Sequence, residues 1–392
     1  MDLNREKIVP HLDQADRVVL YPYPGRSICA RQFAEEFLPL LSEYEQGIVR
    51  GRFSLLSDKI PESVKTPLSS VAPKEGDCAL VTACSLGSRS VYWPERGLKL
   101  KACRPIPDLT FPHEELPFGS FEMKTQSIPF GVLSAEGAMR EILAYCFLKK
   151  NRLPVLQRPI AVFEYQRNGK VAGYSLAMET PSEERLESRE DFREYSIKDL
   201  IADKLHKHTL GGDVGFKGID NIWYARSKAR LLTKMHFSGG FRGFLNSNIG
   251  NDLIYQSRLY VCDFDTFQAL ELPNRPSDVF IRGFCTWAIL EVLKTSPLVW
   301  GYEDVDGLSH EEAVHVIWDT YVQNSKLWRY YWEEFKKRAG RLGWDFDLVG
   351  QVIEEIKNTD LFFNVIIDNV VNSWVLKNTY DPKESFYRPH TG

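Results

Sequence analysis

Two aspartates directly follow a short apolar run in the second half of the chain. The run Leu259–Cys262 favours a strand, so Asp263 and Asp265 stand where that strand ends. Because one residue separates them, both carboxylates can point the same way. Asn248 lies upstream and adds an amide oxygen. Such oxygens suit Mg²⁺ or Mn²⁺ held against nucleotide phosphates, so Asn248, Asp263 and Asp265 are candidate metal ligands.

A lysine and a glutamate upstream of these aspartates are candidates for a phosphate-binding pair. Lys99 and Lys101 share one face of a predicted strand. This face is either a solvated edge of the sheet, or it turns Lys101 toward a ligand. A helix predicted over 134–148 carries Glu141, which either faces solvent or pairs with Lys101. Glu136 on the same helix is the competing carboxylate.

Several short motifs follow one another in an informative order. They are Met235-His236, Gly239-Gly240, Arg242-Gly243-Phe244-Leu245, Asn248-Ile249 and Asp263-Phe264-Asp265. This order resembles the catalytic segment of the protein-kinase-like superfamily, including its aminoglycoside-phosphotransferase branch. Three further stretches, Leu100–Pro105, Met139–Leu143 and Leu245–Asn248, resemble selenoprotein O, a family of the same superfamily that moves AMP onto protein hydroxyls. Together the resemblances cover roughly residues 78–295.

The resemblance implies a fold, a reaction and a set of roles. The fold is α+β and bilobal, with a β-rich N-lobe, a helical C-lobe and an N-terminal α/β extension. The reaction is ATP-dependent transfer of AMP or phosphate to a hydroxyl acceptor, with Mg²⁺ or Mn²⁺. The catalytic candidates are Lys101, Glu141 and Asp263. The nucleotide-binding candidates are Gly87, Ser88, Lys101, Arg104 and Met178.

Each nucleotide-binding candidate has a specific implied contact. Gly87 and Ser88 belong to a small-residue turn that could lie over phosphates, as glycine-rich loops do in kinases. Lys101 would grip phosphate, and Arg104 falls near an arginine of the same family motif. Met178 belongs to the hinge against which an adenine ring would sit.

Two departures from the family pattern leave the chemistry open. Arg242 stands where the aminoglycoside-phosphotransferase branch has His, and Phe244 stands where it has the catalytic Asp, so the general base is unaccounted for. General-base help is worth about 10²–10⁴-fold, which a slow enzyme can lack. The alternatives are a pseudokinase that acts as a binding module through a partner, and an enzyme that transfers phosphate to a small molecule.

Composition restricts the classes of partner and compartment. Of 392 residues 43% are hydrophobic, enough for a large core, and the net charge of −4 gives no global basic field for nucleic acid or an anionic membrane. Seven scattered cysteines without a Cys-x-x-Cys motif disfavour disulfides and zinc, and the first residues lack the apolar core of a signal peptide. We therefore expect a cytoplasmic protein that binds neither nucleic acid nor membrane.

The predicted elements divide the chain into three units. These are the N-terminal extension (1–75), the kinase-like N-lobe (76–180) and the helical C-lobe (181–392). A helix over 222–236 leads into the glycine turn, with Lys228 interpreted as part of its solvated side and His236 as a structural hydrogen-bonding residue. Further helices are predicted over 279–293, 311–322, 327–339, 346–356 and 366–375.

Overall fold

The computed structural model describes residues 17–20, 26–62, 64, 79–82, 84–86, 90–103, 106–115, 124–130, 132–167, 169–186, 222–243, 251–294 and 325–357. Within these residues the chain is a mixed α+β structure, which confirms the predicted class. The strands are β1 (Arg17–Leu20), β2 (Ser27–Cys29), β3 (Ala79–Thr82), β4 (Cys84–Leu86), β5 (Ser90–Trp93), β6 (Leu98–Lys101), β7 (Ile106–Glu115), β8 (Lys124–Phe130), β9 (Arg158–Arg167), β10 (Lys170–Glu179), β11 (Gly240–Phe241), β12 (Asp252–Tyr255), β13 (Arg258–Val261) and β14 (Gln268–Ala269). The helices are α1 (Ala30–Phe37), α2 (Glu43–Arg50), α3 (Ala135–Lys150), α4 (Ile222–His236), α5 (Asp278–Lys294), α6 (Lys326–Arg341) and α7 (Phe346–Lys357).

An antiparallel sheet organises the first half of the chain, with strands in the order β2-β9-β10-β6-β5-β4. β6 therefore lies inside the sheet, between β10 and β5. Lys99 and Lys101 on β6 are 3% and 5% exposed, so their interpretation as a solvated edge face is wrong. β2 pairs with β9 and brings residues 27–29 into the same sheet. The division of the chain near residue 75 stays a prediction.

Helix α3 packs against this sheet and carries Glu141. It begins at Ser134, whose hydroxyl oxygen accepts a hydrogen bond from the backbone N–H of Gly137 (2.9 Å). Apart from Arg140, every residue from 137 to 148 is buried. The burial has this extent because α1 and α2 pack against α3 in addition to strands β9 and β10. The helix is thus fixed on several sides before any ligand contributes.

Some elements are not evident from the sequence pattern. Helix α2 spans only eight residues, which is too short for a clear helical period. The hairpin of β7 and β8 has a register shift between Ile106 and Thr110, so a regular two-residue alternation is interrupted. These elements depend on contacts made elsewhere in the fold.

The second half of the described chain is mainly helical, and aromatic rings fill its centre. Phe237, Phe284, Phe335 and Trp344 pack at centroid distances of 4.9–6.4 Å. The helices predicted over 222–236, 279–293, 327–339 and 346–356 are confirmed to within one or two residues. Those predicted over 311–322 and 366–375 lie outside the described residues.

Two properties of the described residues bear on the environment of the protein. None of the helices in the described ranges is both long and apolar enough to span a bilayer. The cysteines that the structure describes in detail are all free and buried: Cys29, Cys103, Cys146, Cys262 and Cys285.

The β12–β13 hairpin has a turn that its sequence supports poorly. Tyr255 pairs with Arg258, so the loop consists of Gln256 and Ser257 alone. Both have positive φ, 49° and 58°, as a two-residue turn that matches strand twist requires. Asn and Gly favour these angles, whereas Gln and Ser are strained there.

We therefore expect Ser257→Gly to stabilise the protein by about 1 kcal/mol, because it relieves left-handed strain at an exposed position. The free energy of unfolding in urea measures the effect. Ser54→Gly is the matched control, since Ser54 is also exposed but lies in a helical turn with ordinary φ. A gain in both variants, or in neither, would contradict the strain argument.

Candidate functional site

Four of the residues singled out from the sequence meet at the end of β6. The Lys101 ammonium contacts the carboxylates of Glu141 and Asp263, and lies 3.3 Å from Oδ2 of Asp265. The side chains of Lys101, Glu141 and Asp265 are at most 6% exposed, whereas that of Asp263 is 15% exposed. Three side chains of the cluster are therefore buried, and solvent reaches the cluster at Asp263.

Glu141 links this cluster to helix α3. Its Oε1 accepts a hydrogen bond from the backbone N–H of Phe264 (2.7 Å) in addition to its contact with Lys101. Burial raises the pKa of Glu141, the charges of Asp263 and Asp265 raise it further, and Lys101 opposes them. The competing carboxylate, Glu136, pairs instead with Arg140 (Nε to Oε1, 3.1 Å). The sequence left the two glutamates open, and the structure pairs Lys101 with Glu141.

The two lysines on β6 belong to different ion pairs. Lys99 Nζ lies 3.1 Å from Oε2 of Glu183, whose other oxygen accepts a hydrogen bond from Gln157. Lys99 is thus satisfied by the segment that follows β10. Lys101 alone enters the carboxylate cluster.

Asp263 is held in an unusual backbone conformation by the hairpin beside it. Its φ is 65°, in the left-handed region that a non-glycine residue rarely adopts. Asn251 donates a hydrogen bond from Nδ2 to Oδ2 of Asp263 (3.1 Å), and Asn251 Oδ1 accepts one from Arg185 (3.0 Å). Both oxygens of Asp263 therefore have partners, one cationic and one amide.

Asn251 is a site residue that the sequence reasoning missed, although a signal exists. With Gln256 and Ser257 as the hairpin loop, counting outward along the two strands places Asn251 opposite Cys262. The backbone N–H of Cys262 does donate to the carbonyl of Asn251 (2.9 Å). Asn251 is therefore adjacent to Asp263 by hairpin register alone.

Arg242, which stands where the resembled motifs have histidine, braces the loop that carries Asp263. It is fully buried, and its Nη2 donates to the carbonyl of Cys262 (3.0 Å). Its guanidinium lies 5.9 Å from the ring of Phe264, and its own carbonyl accepts a hydrogen bond from the Thr266 hydroxyl (2.7 Å). One residue therefore holds the loop from Cys262 to Thr266 at both ends.

Glycines on both sides of Arg242 permit the close approach of its backbone to residues 266–270. Gly239 has φ of 86°, and a Cβ there would lie 2.0 Å from the carbonyl oxygen of Leu270. Gly243 has φ of 87°, and a Cβ there would lie 2.5 Å from Oγ1 of Thr266. The motif glycines thus bring β11 against the segment that follows the aspartates.

A second buried group of charges lies behind the hairpin. The Lys228 ammonium and the Tyr224 hydroxyl (2.8 Å) both donate to Asp252, and Nη1 of Arg242 lies 3.5 Å from the same carboxylate. Lys228 is fully buried, so its interpretation as a solvated lysine is wrong. Burial lowers its pKa to about 8, Arg242 adds to that effect, and Asp252 opposes it.

His236 at the end of α4 has the structural role predicted for it. Its Nδ1 lies 2.8 Å from the Tyr331 hydroxyl, and its Nε2 contacts the carboxylate of Glu291. All three side chains are buried, and they join α4, α5 and α6. His236 contacts none of the clustered site residues through these bonds.

Other predicted site residues lie elsewhere. Gly87, Ser88, Arg104, Phe244 and Asn248 are outside the described residues. Met178 lies within β10, opposite Lys99 on β6 and Pro159 on β9, with its side chain in the core. Its contact with a nucleotide stays a prediction.

The described residues contain no group of three carboxylate, imidazole or thiolate side chains placed to hold a metal ion by themselves. Lys101 contacts all three carboxylates of the cluster instead. A divalent ion at this place would therefore need oxygens from a bound ligand and from water, which is how Mg²⁺ is often held beside phosphates.

We expect Arg242→Met to destabilise the protein by about 3–5 kcal/mol, because it removes one partner of a buried ionic group and leaves the Cys262 carbonyl without its donor. Urea unfolding measures the loss. Arg282→Met is the control: Arg282 is 36% exposed in its pair with Glu355, and loss of that pair should cost below about 1 kcal/mol. Equal losses of unfolding free energy in the two variants would contradict the stabilising role of Arg242.

Lys228 gives a prediction for the effect of pH on stability. With a pKa near 8 in the folded state against the ordinary 10.5, folded Lys228 binds fewer protons than unfolded Lys228 between these pH values. Lys228 therefore contributes a rise in the free energy of unfolding from pH 8 to 10.5, of up to roughly 3 kcal/mol, whereas buried Cys146 and Cys285, whose pKa is raised to about 12, contribute a fall above about pH 9. The free energy of unfolding of the native chain minus that of Lys228→Met isolates the lysine and should rise with pH by this amount.

Lys234→Met on the same helix is the matched control, since Lys234 is partly exposed. Its difference from the native chain should not change with pH. Urea unfolding at several pH values measures all three proteins, and a difference between the native chain and Lys228→Met that does not grow with pH would refute the assignment.

No family model, curated protein or solved structure matches this chain.

Proposed function

We propose that the chain binds a nucleoside triphosphate with Mg²⁺ and transfers AMP or phosphate to a hydroxyl acceptor. The observation that supports this best is the contact of one lysine ammonium with the three carboxylates of Glu141, Asp263 and Asp265. These residues come from a strand, a helix and a loop that are far apart in sequence. Lysine and paired carboxylates are the groups that position phosphates and their metal ions.

The charge of the cluster favours a cationic ligand. When ionised, three carboxylates against one ammonium leave a formal charge of −2 in a largely buried place. Uncompensated buried charge is costly, and the raised pKa of Glu141 reflects that cost. A complex of Mg²⁺ with phosphate would relieve the carboxylates and give Lys101 an anionic partner.

The chain's own residues divide into metal-facing and phosphate-facing groups. Asp263 is the most exposed carboxylate and Asp265 the next along the loop, so both would turn to the metal ion. Asn251 would orient Asp263 through its amide N–H, since its amide oxygen already accepts from Arg185, and Asn248 stays the candidate amide ligand. Glu141 would keep Lys101 aimed at phosphate because Phe264 N–H fixes its carboxylate. When bound, Mg²⁺ would neutralise charge on the phosphate oxygens.

The transfer itself is a displacement at phosphorus. For AMP transfer, the acceptor oxygen bonds to the α-phosphorus while the bond to the α–β bridging oxygen breaks, and pyrophosphate leaves. For phosphate transfer the same exchange occurs at the γ-phosphorus, and ADP leaves. In both cases the hydroxyl proton passes to water, since the described residues give no base that could be assigned to it. Positioning and charge neutralisation supply most of the rate in such reactions.

A bilobal kinase-like arrangement is part of the same proposal. An antiparallel sheet carries Lys101, a helix packed on that sheet carries Glu141, and a mainly helical region follows residue 222. The acidic loop lies between these parts. The proposal also includes a cytoplasmic location, which the free cysteines support.

A second candidate is a nucleotide-binding module without catalysis. The sequence favours it at one position, where Phe244 stands in place of the family's catalytic Asp. Binding and transfer can be measured separately, so the two candidates are distinguishable.

We expect Mg²⁺ with ATP to raise the melting temperature of the native chain, by an amount equivalent to about 2.7 kcal/mol at 100 times the dissociation constant. Asp263→Asn should abolish the increase. Asparagine tolerates the left-handed φ of this position, so the variant removes charge with little added strain. Asp347→Asn, at an exposed position in the first turn of α7, should respond as the native chain does.

Transfer is then tested with ATP labelled at the α- or the γ-phosphate. Label from the α-phosphate on a protein acceptor indicates AMP transfer, and label from the γ-phosphate indicates phosphate transfer. A melting shift without transfer of either label would favour the binding module. No melting shift, or one that is equal without Mg²⁺, would refute the proposed site.

A further inference from the structure

The segment that follows the two aspartates is held by three side chains from earlier in the chain. Glu141 accepts from the backbone N–H of Phe264 (2.7 Å), and Arg140 donates to the carbonyl of Phe267 (2.8 Å). Glu45 accepts from the backbone N–H of Ala269 through Oε1 (2.9 Å). Two of these side chains are neighbours on α3, but Glu45 belongs to α2.

Glu45 is unusually well fixed for a residue in the first turn of a short helix. Its Oε2 accepts from the backbone N–H (3.0 Å) and the hydroxyl (2.9 Å) of Ser42, which forms a capping box. Its Oε1 also lies 3.6 Å from Nη1 of Arg140. The residue is 4% exposed. The Glu45 carboxylate therefore caps the N-terminus of α2 and also accepts a hydrogen bond from the backbone N–H of Ala269, 224 residues later in the chain.

The contact with Ala269 lies at the end of a continuous set of bonds that leads back to Asp263. Ala269 in β14 pairs with Gly240 in β11, and Arg242 follows β11 directly. Arg242 in turn donates to the carbonyl of Cys262, the residue before Asp263. The segment after Asp263 is thus held by Glu45 at β14 and by Arg242 at its beginning.

We propose that Glu45 is a positioning residue, which fixes residues 264–269 against α3 so that Asp263 and Asp265 face Lys101. Residues 42–50 therefore help to build the site. This inference rests on the proposed function for its ligand, but its geometric part does not. Outer partners of this kind commonly affect metal affinity by about 10–100-fold when removed.

The test separates this contact from the stability of α2. Glu45→Ala removes the carboxylate side of the capping box and the bond to Ala269, whereas Ser42→Ala removes the hydroxyl side of the box and leaves the bond to Ala269 intact. Glu45→Gln keeps a side-chain oxygen for the Ala269 N–H. Glu43→Ala is the control for charge, because Glu43 is also acidic and in the first turn but is exposed.

Two readouts are measured well below all melting temperatures: hydrogen exchange of the peptide 264–270, and the dissociation constant for Mg²⁺ with ATP. We expect Glu45→Ala to accelerate the exchange and weaken binding at least about tenfold. Glu45→Gln should bind within about threefold of the native chain, because it retains the acceptor. Ser42→Ala and Glu43→Ala should leave both readouts unchanged.

If Glu45→Ala and Ser42→Ala give the same exchange and the same dissociation constant, Glu45 acts only on helix stability and the inference is wrong. If the native chain binds no Mg²⁺ with ATP, the proposed function fails. Hydrogen exchange then decides the role of Glu45 alone, and unchanged exchange in Glu45→Ala overturns it.

Discussion

The burial of one lysine ammonium among three carboxylates is the interaction on which the rest of this structure depends. A buried lysine or carboxylate is costly alone, and the attraction between them offsets that cost only where further hydrogen bonds satisfy the carboxylates. The backbone N–H of Phe264 and the amide of Asn251 supply such bonds. Burial raises the pKa of Glu141, and because Lys101 provides one charge for three, the charges of Asp263 and Asp265 raise it further.

The β12–β13 hairpin separates this cluster from the second group of buried charges. Successive residues of a strand point to opposite faces, and here Asn251 turns to Asp263 while Asp252 turns to Lys228 and Arg242. The group around Lys101 has three carboxylates for one ammonium. The group formed by Lys228, Arg242 and Asp252 has two cations for one carboxylate. The hairpin thus keeps the two groups of buried charges on opposite faces.

Local pattern in the sequence predicts most of the described elements and four members of the cluster. The apolar periodicity gives α3 and β6, and the motif order gives Lys101, Glu141, Asp263 and Asp265. The burial of Lys228 is not predictable from the local pattern, because a lysine on a helix is normally solvated and its partner Asp252 lies in a strand further along the sequence. The contact of Glu45 with Ala269 is not predictable for the same reason. Periodicity reports which face of an element is buried, whereas ion pairs between elements depend on the tertiary arrangement.

Arg242 stands where the motifs that the sequence resembles have histidine, and it has a clear structural role. An arginine in place of histidine could indicate a degraded site, yet this arginine braces the loop before and after the aspartates. Arg242 therefore stabilises the loop that carries Asp263 and Asp265. Only Phe244 then favours a binding module without catalysis.

Two unfavourable features coincide at this loop. Asp263 adopts a left-handed φ, and the carboxylates around it outnumber their cation. An asparagine or apolar residue at position 265 would lower the charge and stabilise a chain that had no ligand to bind. Strain and excess charge that coincide at one partly exposed aspartate are typical of a site whose stability is completed by a ligand. This coincidence favours a ligand-binding role for the cluster, with or without catalysis.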